Sequence, residues 1–187
     1  NPDTPWIIED GPHGEIVICS RARLARNLAG FPFVSRASDE QRREIAEIAR
    51  TLLADTGGDG YLNWHELTQV SARDRRLLVE RNLISENLAE GDGDRAVLIS
   101  KDGSLSIMVN EEDHIRMQKL APGLQLDFTY RELSAIDQAI ESNIEYAYCS
   151  TLGYLTACPT NVGTGVRFSV MVHLPALTCT REIEKVQ

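Results

Sequence analysis

Apolar positions along this chain follow two periods, and the changes from one to the other mark out its elements. Ile45, Ile48, Ala49, Leu52 and Leu53 recur three and four residues apart, which predicts a helix running up to Gly57. Ser38-Asp-Glu-Gln41 supplies its start, because the Ser38 hydroxyl and the Gln41 carboxamide can satisfy each other's free backbone N–H groups. A longer stripe of Leu133, Ile136, Ala139, Ile140 and Ile144 predicts a helix over Asp127 to Ala147. Short β-branched runs predict strands at Glu15–Cys19, Tyr61–Val70, Ala96–Ser100, Leu105–Val109 and Arg167–Leu174. Lys101-Asp-Gly-Ser104 joins two of them as a hairpin. Arg75 to Leu88 leans helical, Ala176 to Gln187 reads as a further helix, and residues 1–14 form a Pro-rich, loose lead-in. Strand runs separated by tight turns, with helices to cover them, predict an α+β fold: a largely antiparallel sheet flanked by helices.

Composition narrows the function classes. The chain has 187 residues, enough for one domain with a substantial core. A formal net charge of −9 argues against nucleic acid or an anionic membrane as partner, since phosphate backbones are met with excess Lys and Arg. Only Lys101, Lys119 and Lys185 are lysines, so the positive charge is carried almost entirely by arginine. That bias fits a plain surface preference as well as it fits bidentate clamps on phosphate or carboxylate. Cys19, Cys149, Cys158 and Cys179 show no metal-ligand spacing and no C-x-x-C pair, so neither disulfides nor zinc are expected and the cytoplasm is the default compartment. No apolar run is long enough to span a bilayer. The chain opens on Asn-Pro and stops in a helical stretch with no closing turn, and a fragment of something longer is expected. Asp55 to Glu66 nearly fits an EF-hand calcium loop, but Gly57 takes a ligand position and the residues after Glu66 make a poor exiting helix.

Three separated segments carry candidate chemistry. Asn110-Glu-Glu-Asp-His-Ile-Arg116 gathers three adjacent carboxylates directly after a strand, where like charges raise one another's pKa and call for a cation opposite. A solvated acidic turn is the bland alternative. Ser20-Arg21-Ala-Arg23 places two arginines at alternate positions of a strand end, so both can face one way. The Pro159 to Gly165 loop has glycines that let backbone approach a ligand, and Arg167 follows it. Four fixed guanidiniums suit a triphosphate during phosphoryl transfer. No Walker A element and no protein-kinase motif set is present.

Taken together and in this order, Ser20–Arg23, Asn110–Arg116 and Cys158-Pro-Thr-Asn-Val-Gly-Thr-Gly-Val-Arg167 resemble the phosphagen (guanidino) kinase family. Arg23-Leu-Ala-Arg-Asn-Leu28, Leu78 to Ser85, Leu152 to Pro159 and His173-Leu-Pro-Ala-Leu177 resemble its McsB-type bacterial protein arginine kinase branch, from about Ile16 onward. The resemblance implies a phosphagen-kinase, glutamine-synthetase-like catalytic domain, with residues 15–187 its N-terminal portion. It implies transfer of the ATP γ-phosphoryl group to arginine side chains of proteins, with Mg2+ bound mainly through the nucleotide phosphates and no dedicated protein metal site. Glu112 would be the catalytic carboxylate, Glu111 and Asp113 would support it, and Cys158 would sit near the substrate guanidinium as a thiolate. Arg21, Arg23, Arg116 and Arg167 would clamp the phosphates. Cys19, Ser20, Ala22, Asn82, Phe168, Ser169, Val170 and Met171 would complete the nucleotide site. His114 reads as a structural hydrogen-bonder.

Two positions depart from the branch: Asn82 stands where His is usual, and Cys19 where Ser is usual. Family members also continue with another phosphate-contacting arginine, a Gly-rich loop and a second guanidinium-holding glutamate, so this chain is expected to have weak activity or none by itself. The resemblance implies protein substrates with exposed arginine, an McsA-type activator and the Clp protease machinery as partners, and allows a homodimer. A kinase for free guanidino compounds, and a non-catalytic nucleotide- or partner-binding module in protein quality control, are the rival readings.

Overall fold

A computed structural model describes residues 9–53, 61–180 and 182–185. Its centre is a six-stranded sheet in the order β2-β3-β4-β5-β1-β8, with every neighbouring pair antiparallel. The strands are β1 (Val17–Arg26), β2 (Leu62–Glu66), β3 (Ala96–Ser100), β4 (Leu105–Val109), β5 (Ile115–Pro122) and β8 (Val166–Val172). A separate two-stranded hairpin pairs β6 (Tyr148–Cys149) with β7 (Gly153–Tyr154). The helices are α1 (Asp39–Leu53), α2 (Ala72–Glu80), α3 (Glu86–Glu90), α4 (Leu126–Glu141) and α5 (Pro175–Cys179).

The apolar stripes explain the layering. Ile45, Ala49 and Leu53 of α1 and Leu133 and Ile140 of α4 pack on Ala22, Leu24, Leu98, Ile107 and Met117, all on one face of the sheet. The expected capping box forms at Ser38: the Gln41 N–H donates to the Ser38 hydroxyl and the Ser38 N–H to the Gln41 carboxamide oxygen. On the opposite face a smaller cluster of Leu67, Ile84, Leu88, Val97 and Met108 holds α2 and α3 over the β2–β4 end. The β5-β1-β8 part of that face carries no such helical cover among the described residues.

Several boundaries differ from the sequence expectation. β1 extends through Arg26, which places Ser20–Arg23 mid-strand and not at a strand end. β5 escapes hydrophobic patterning because Arg116, Gln118 and Lys119 interrupt it. The stretch from Arg75 to Leu88 is split between two helices by a turn at Asn82, whose φ is 55°. The strand expected to reach Val70 ends at Glu66, and the helix expected to reach Ala147 ends at Glu141. The final stretch breaks after Cys179 and resumes as a 3-10 turn at Ile183–Lys185. The first half of the near-EF-hand segment, residues 55–60, lies outside the described residues; its last member, Glu66, ends a strand and pairs with Arg50 at 3.1 Å.

Candidate active site

Side chains alternate across a strand, so the pairing register decides which residues share the open face. Arg21 lies opposite Leu120 on one side and Ser169 on the other; Arg23 lies opposite Gln118 and Arg167; Arg116 lies opposite Ala25. Arg21, Arg23, Arg116 and Arg167 therefore converge on the face of β5, β1 and β8. The Arg21 Nε donates to the Ser169 hydroxyl at 3.1 Å. Burial, reinforced by the charges of Arg21, Arg116 and Arg167, pushes Arg23 down to about 10. Burial and the same crowding also lower Arg21. The Arg23 Nε is buried with no hydrogen-bond partner in the structure. Cations packed this closely are a costly arrangement for a resting surface and a favourable one for a polyphosphate.

The acidic segment sorts its three carboxylates into different environments. Glu111 accepts from the Ser85 hydroxyl at 2.6 Å, from Arg116 at 2.7 Å and from the Glu112 N–H at 2.9 Å. Its burial would raise the carboxyl, but Arg116 and these donors overcome it and hold Glu111 below the ordinary glutamate value. Asp113 is 1% exposed and accepts from the Asn27 Nδ2 at 2.6 Å and the Ala157 N–H at 2.7 Å. Glu112 alone is exposed. Desolvation, then the neighbouring Asp113 and Glu111 charges, raise it above the ordinary glutamate value, against the pull of Arg116. A carboxylate with raised proton affinity beside a row of arginines is suited to take up a proton. His114 is fully buried and accepts the Leu28 N–H on Nδ1, which leaves Nε2 to donate to the Pro32 carbonyl at 2.9 Å. Burial lowers its pKa, so it is a neutral strut, as its sequence context implied.

The Cys158 loop closes over this segment. It opens with a 3-10 turn at Pro159–Asn161 and reaches β8 through Gly165, whose φ is 66°. A Cβ on Gly165 would lie 2.4 Å from the Arg26 guanidinium and 2.6 Å from the Ala25 carbonyl oxygen, so only glycine fits. Arg26 is 3% exposed; it pairs with Asp137 of α4 at 2.6 Å, donates to the Thr164 carbonyl and lies 3.7 Å from the Tyr154 ring centroid. Two cavities result. One of about 80 Å3 is walled by Arg23, Glu112, Arg116, Cys158, Asn161 and Arg167. A second, of about 220 Å3, is walled by Cys19, Arg21, Asn82, Leu120, Ser169 and Met171, with Val170 contributing.

Most of the residues singled out from sequence come together at these two cavities: Glu112, Cys158 and three arginines at the first, and Cys19, Arg21, Asn82, Ser169, Val170 and Met171 at the second. Glu111 lies behind them as the partner of Arg116. Ser20, Ala22 and Phe168 are not brought to the site. Ala22 is fully buried in the core, and the Ser20 hydroxyl donates to the Gly123 carbonyl and accepts from the Gln125 N–H. Phe168 lies opposite Ala22 and packs edge-on against Tyr130 of α4. β1 is paired on both edges, so the Ala22 backbone is engaged in the sheet. Sequence reasoning missed Ser85, Arg26 and Asn27, whose partners lie 26, 111 and 86 residues away.

A family model for the ATP:guanido phosphotransferase C-terminal catalytic domain matches residues 44–187. The chain belongs to the ATP:guanido phosphotransferase family. Among curated relatives of this family, the protein-arginine kinase of Shouchella clausii is 45% identical over all of this chain and 52% of its own length. That of Moorella thermoacetica is 45% identical over 96% of this chain and 52% of its own. The chain thus spans about half the length of the curated relatives it matches. In three dimensions it resembles the duplicated taurocyamine kinase of Schistosoma mansoni solved with bound transition state analog components. That match has a TM-score of 0.83 and 26% identity, and covers 92% of this chain and 25% of that one. Lombricine kinase matches with a TM-score of 0.76 and 25% identity over 95% of this chain and 53% of that one. The phosphagen kinase fold accounts for the antiparallel sheet flanked by helices.

Family membership implies ATP. The unpartnered, buried Arg23 Nε and the lowered pKa values of Arg21 and Arg23, set first by burial and then by neighbouring arginines, fit its phosphates. Among the described residues, no group of three or more His, Cys, Asp or Glu is placed to hold a metal ion. A magnesium ion would be carried by the phosphates, as that ion's preference for water and phosphate oxygen allows. Among the described residues no helix is long and apolar enough to cross a membrane.

Proposed function

We propose that this chain carries the nucleotide clamp and the catalytic base of a protein arginine kinase, which transfers the γ-phosphoryl group of ATP to arginine side chains of proteins. The observation that carries the reading is the sharing of one cavity by exposed Glu112, Cys158, Arg23, Arg116 and Arg167. The protein-arginine kinases at 45% identity favour a protein acceptor over a free guanidino compound.

Arg21, Arg23, Arg116 and Arg167 hold the triphosphate and neutralise charge on the equatorial oxygens of the moving phosphoryl group. Leu120, Met171 and the carboxamide of Asn82 suit a flat ring with a polar edge in the larger cavity. Asn82 is kept in place by its carbonyl, which accepts from Gln118. Magnesium on the phosphates would supply further charge neutralisation. The acceptor guanidinium lies against Glu112, with the Cys158 sulfur favouring its charge. Its nitrogen attacks the γ-phosphorus while Glu112 takes the proton that nitrogen must lose; a P–N bond forms, the P–O bond to the β-phosphate breaks, and ADP leaves. The raised proton affinity of Glu112 makes it a stronger base than an ordinary glutamate. Glu111 holds Arg116 and the Glu112 backbone in register.

We read residues 15–187 as the N-terminal portion of the catalytic domain, and expect little or no turnover from this stretch by itself. The cytoplasm as its compartment, an McsA-type activator, the Clp protease machinery and a homodimer belong to the same reading. Cys19, Cys149, Cys158 and Cys179 are all free thiols, which suits a reducing compartment. The test is ATP-dependent formation of acid-labile phosphoarginine on a model protein, by a protein of the relatives' full length carrying this segment. Phosphorylation of the protein but not of free arginine is expected. Turnover of free arginine alone would move the assignment to a small-molecule guanidino kinase. Normal ATP binding without transfer would leave a binding module.

A further inference from the structure

Cys158 stands on a loop outside the six-stranded sheet, while Glu112 stands on the turn between β4 and β5. Something must fix the distance between them, and one side chain links both. Asn27, 2% exposed just past the end of β1, uses both ends of its carboxamide. Its Nδ2 donates to Asp113 at 2.6 Å and to the Leu155 carbonyl at 3.0 Å. Its Oδ1 accepts from the His114 N–H at 2.9 Å. Asp113 in turn accepts from the Ala157 N–H at 2.7 Å, next in the chain to Cys158. The Asn27 main chain also holds the Ala147 N–H at 2.8 Å, at the entry to the β6–β7 hairpin.

We propose that Asn27 is a positioning residue for the acceptor half of the site, tying the Glu112 segment to the Cys158 loop so that the guanidinium meets both at once. This rests on the phosphotransfer reading above. The chemistry demands a carboxamide: an aspartate could accept from His114 but could not donate to Asp113 or Leu155, and would set two carboxyls against each other. The phosphate clamp does not share this dependence. Arg21, Arg23, Arg116 and Arg167 stand on paired strands, and Asn27 lies outside their ladder.

The test compares unmodified and Asn27→Asp proteins of the relatives' full length, measuring ATP affinity by equilibrium binding and phosphoarginine formation on a model protein by kcat and acceptor KM. A rigid clamp beside a loosened acceptor site predicts unchanged ATP affinity. It also predicts kcat/KM for the protein acceptor lower by about 10- to 100-fold, the loss that misplacement of about an ångström produces. ATP affinity falling in step with turnover would mean a general structural defect and would overturn the inference, as would wild-type turnover. If Asn27→Asp does not fold, Asn27→Ser keeps one donor and one acceptor in a smaller volume and should show the same split. An inactive unmodified protein would overturn the phosphotransfer reading and this inference with it; an active one with an equally active variant would overturn the inference alone.

Discussion

Three adjacent acidic residues receive three different assignments from their surroundings. Glu111 is held ionised by Arg116 and Ser85, Asp113 is consumed by Asn27 and Ala157, and Glu112 is left exposed with a raised proton affinity. The crowding of carboxylates was legible in the residues themselves; Glu112 was singled out among them only through the family resemblance, because the partners that occupy Glu111 and Asp113 come from distant segments. The pH dependence follows from the sign of the Glu112 shift. A base works only when ionised, so transfer is complete above its pKa and is lost as pH falls through it. With Glu112 raised before the acceptor binds, the acid limb of kcat/KM for the protein acceptor should set in at a higher pH than an ordinary glutamate would give, and the measurement is kcat/KM for the acceptor against pH at saturating ATP. An acid limb at or below the ordinary glutamate range would remove Glu112 from the role of base.

Among the elements, legibility followed locality. The Ser38–Gln41 box and the hairpin at Lys101–Ser104 are settled by neighbours in sequence, and both form where patterning put them. β5 was hidden because its open face must carry Arg116 and Gln118, so the site itself erased the apolar pattern. The Cys158 loop was legible as a flexible ligand loop, but its anchoring was not. Arg26 and Gly165 meet only through folding, 139 residues apart in sequence by their numbers. Gly165→Ala places a methyl group against the Arg26 guanidinium and the Ala25 carbonyl at a positive φ, and should destabilise the fold by about 1–3 kcal/mol. It should also lower transfer more than ATP binding. Chemical denaturation with parallel nucleotide titration checks both, and a variant as stable and active as the parent would show that the loop has room the structure denies it.

At the scale of the molecule, the sheet serves two ends. One face packs α1 and α4 into the main core, and the other presents four arginines beside Glu112. The strand alternation that buries Ala22 and Leu24 in the core is the same one that turns half-buried Arg21 and Arg23 to the opposite face, so the core and the proposed phosphate clamp take alternate residues of one strand. The central claim is that this clamp and Glu112 form one phosphoryl-transfer site with separable duties. It is tested most directly by Glu112→Gln in a protein of the relatives' full length, comparing ATP affinity with single-turnover phosphoarginine formation. The expected result is unchanged ATP affinity with transfer slowed by about 10²–10⁴-fold, the range that a lost general base accounts for. Transfer at the parent rate, or loss of ATP affinity equal to the loss of transfer, would contradict it.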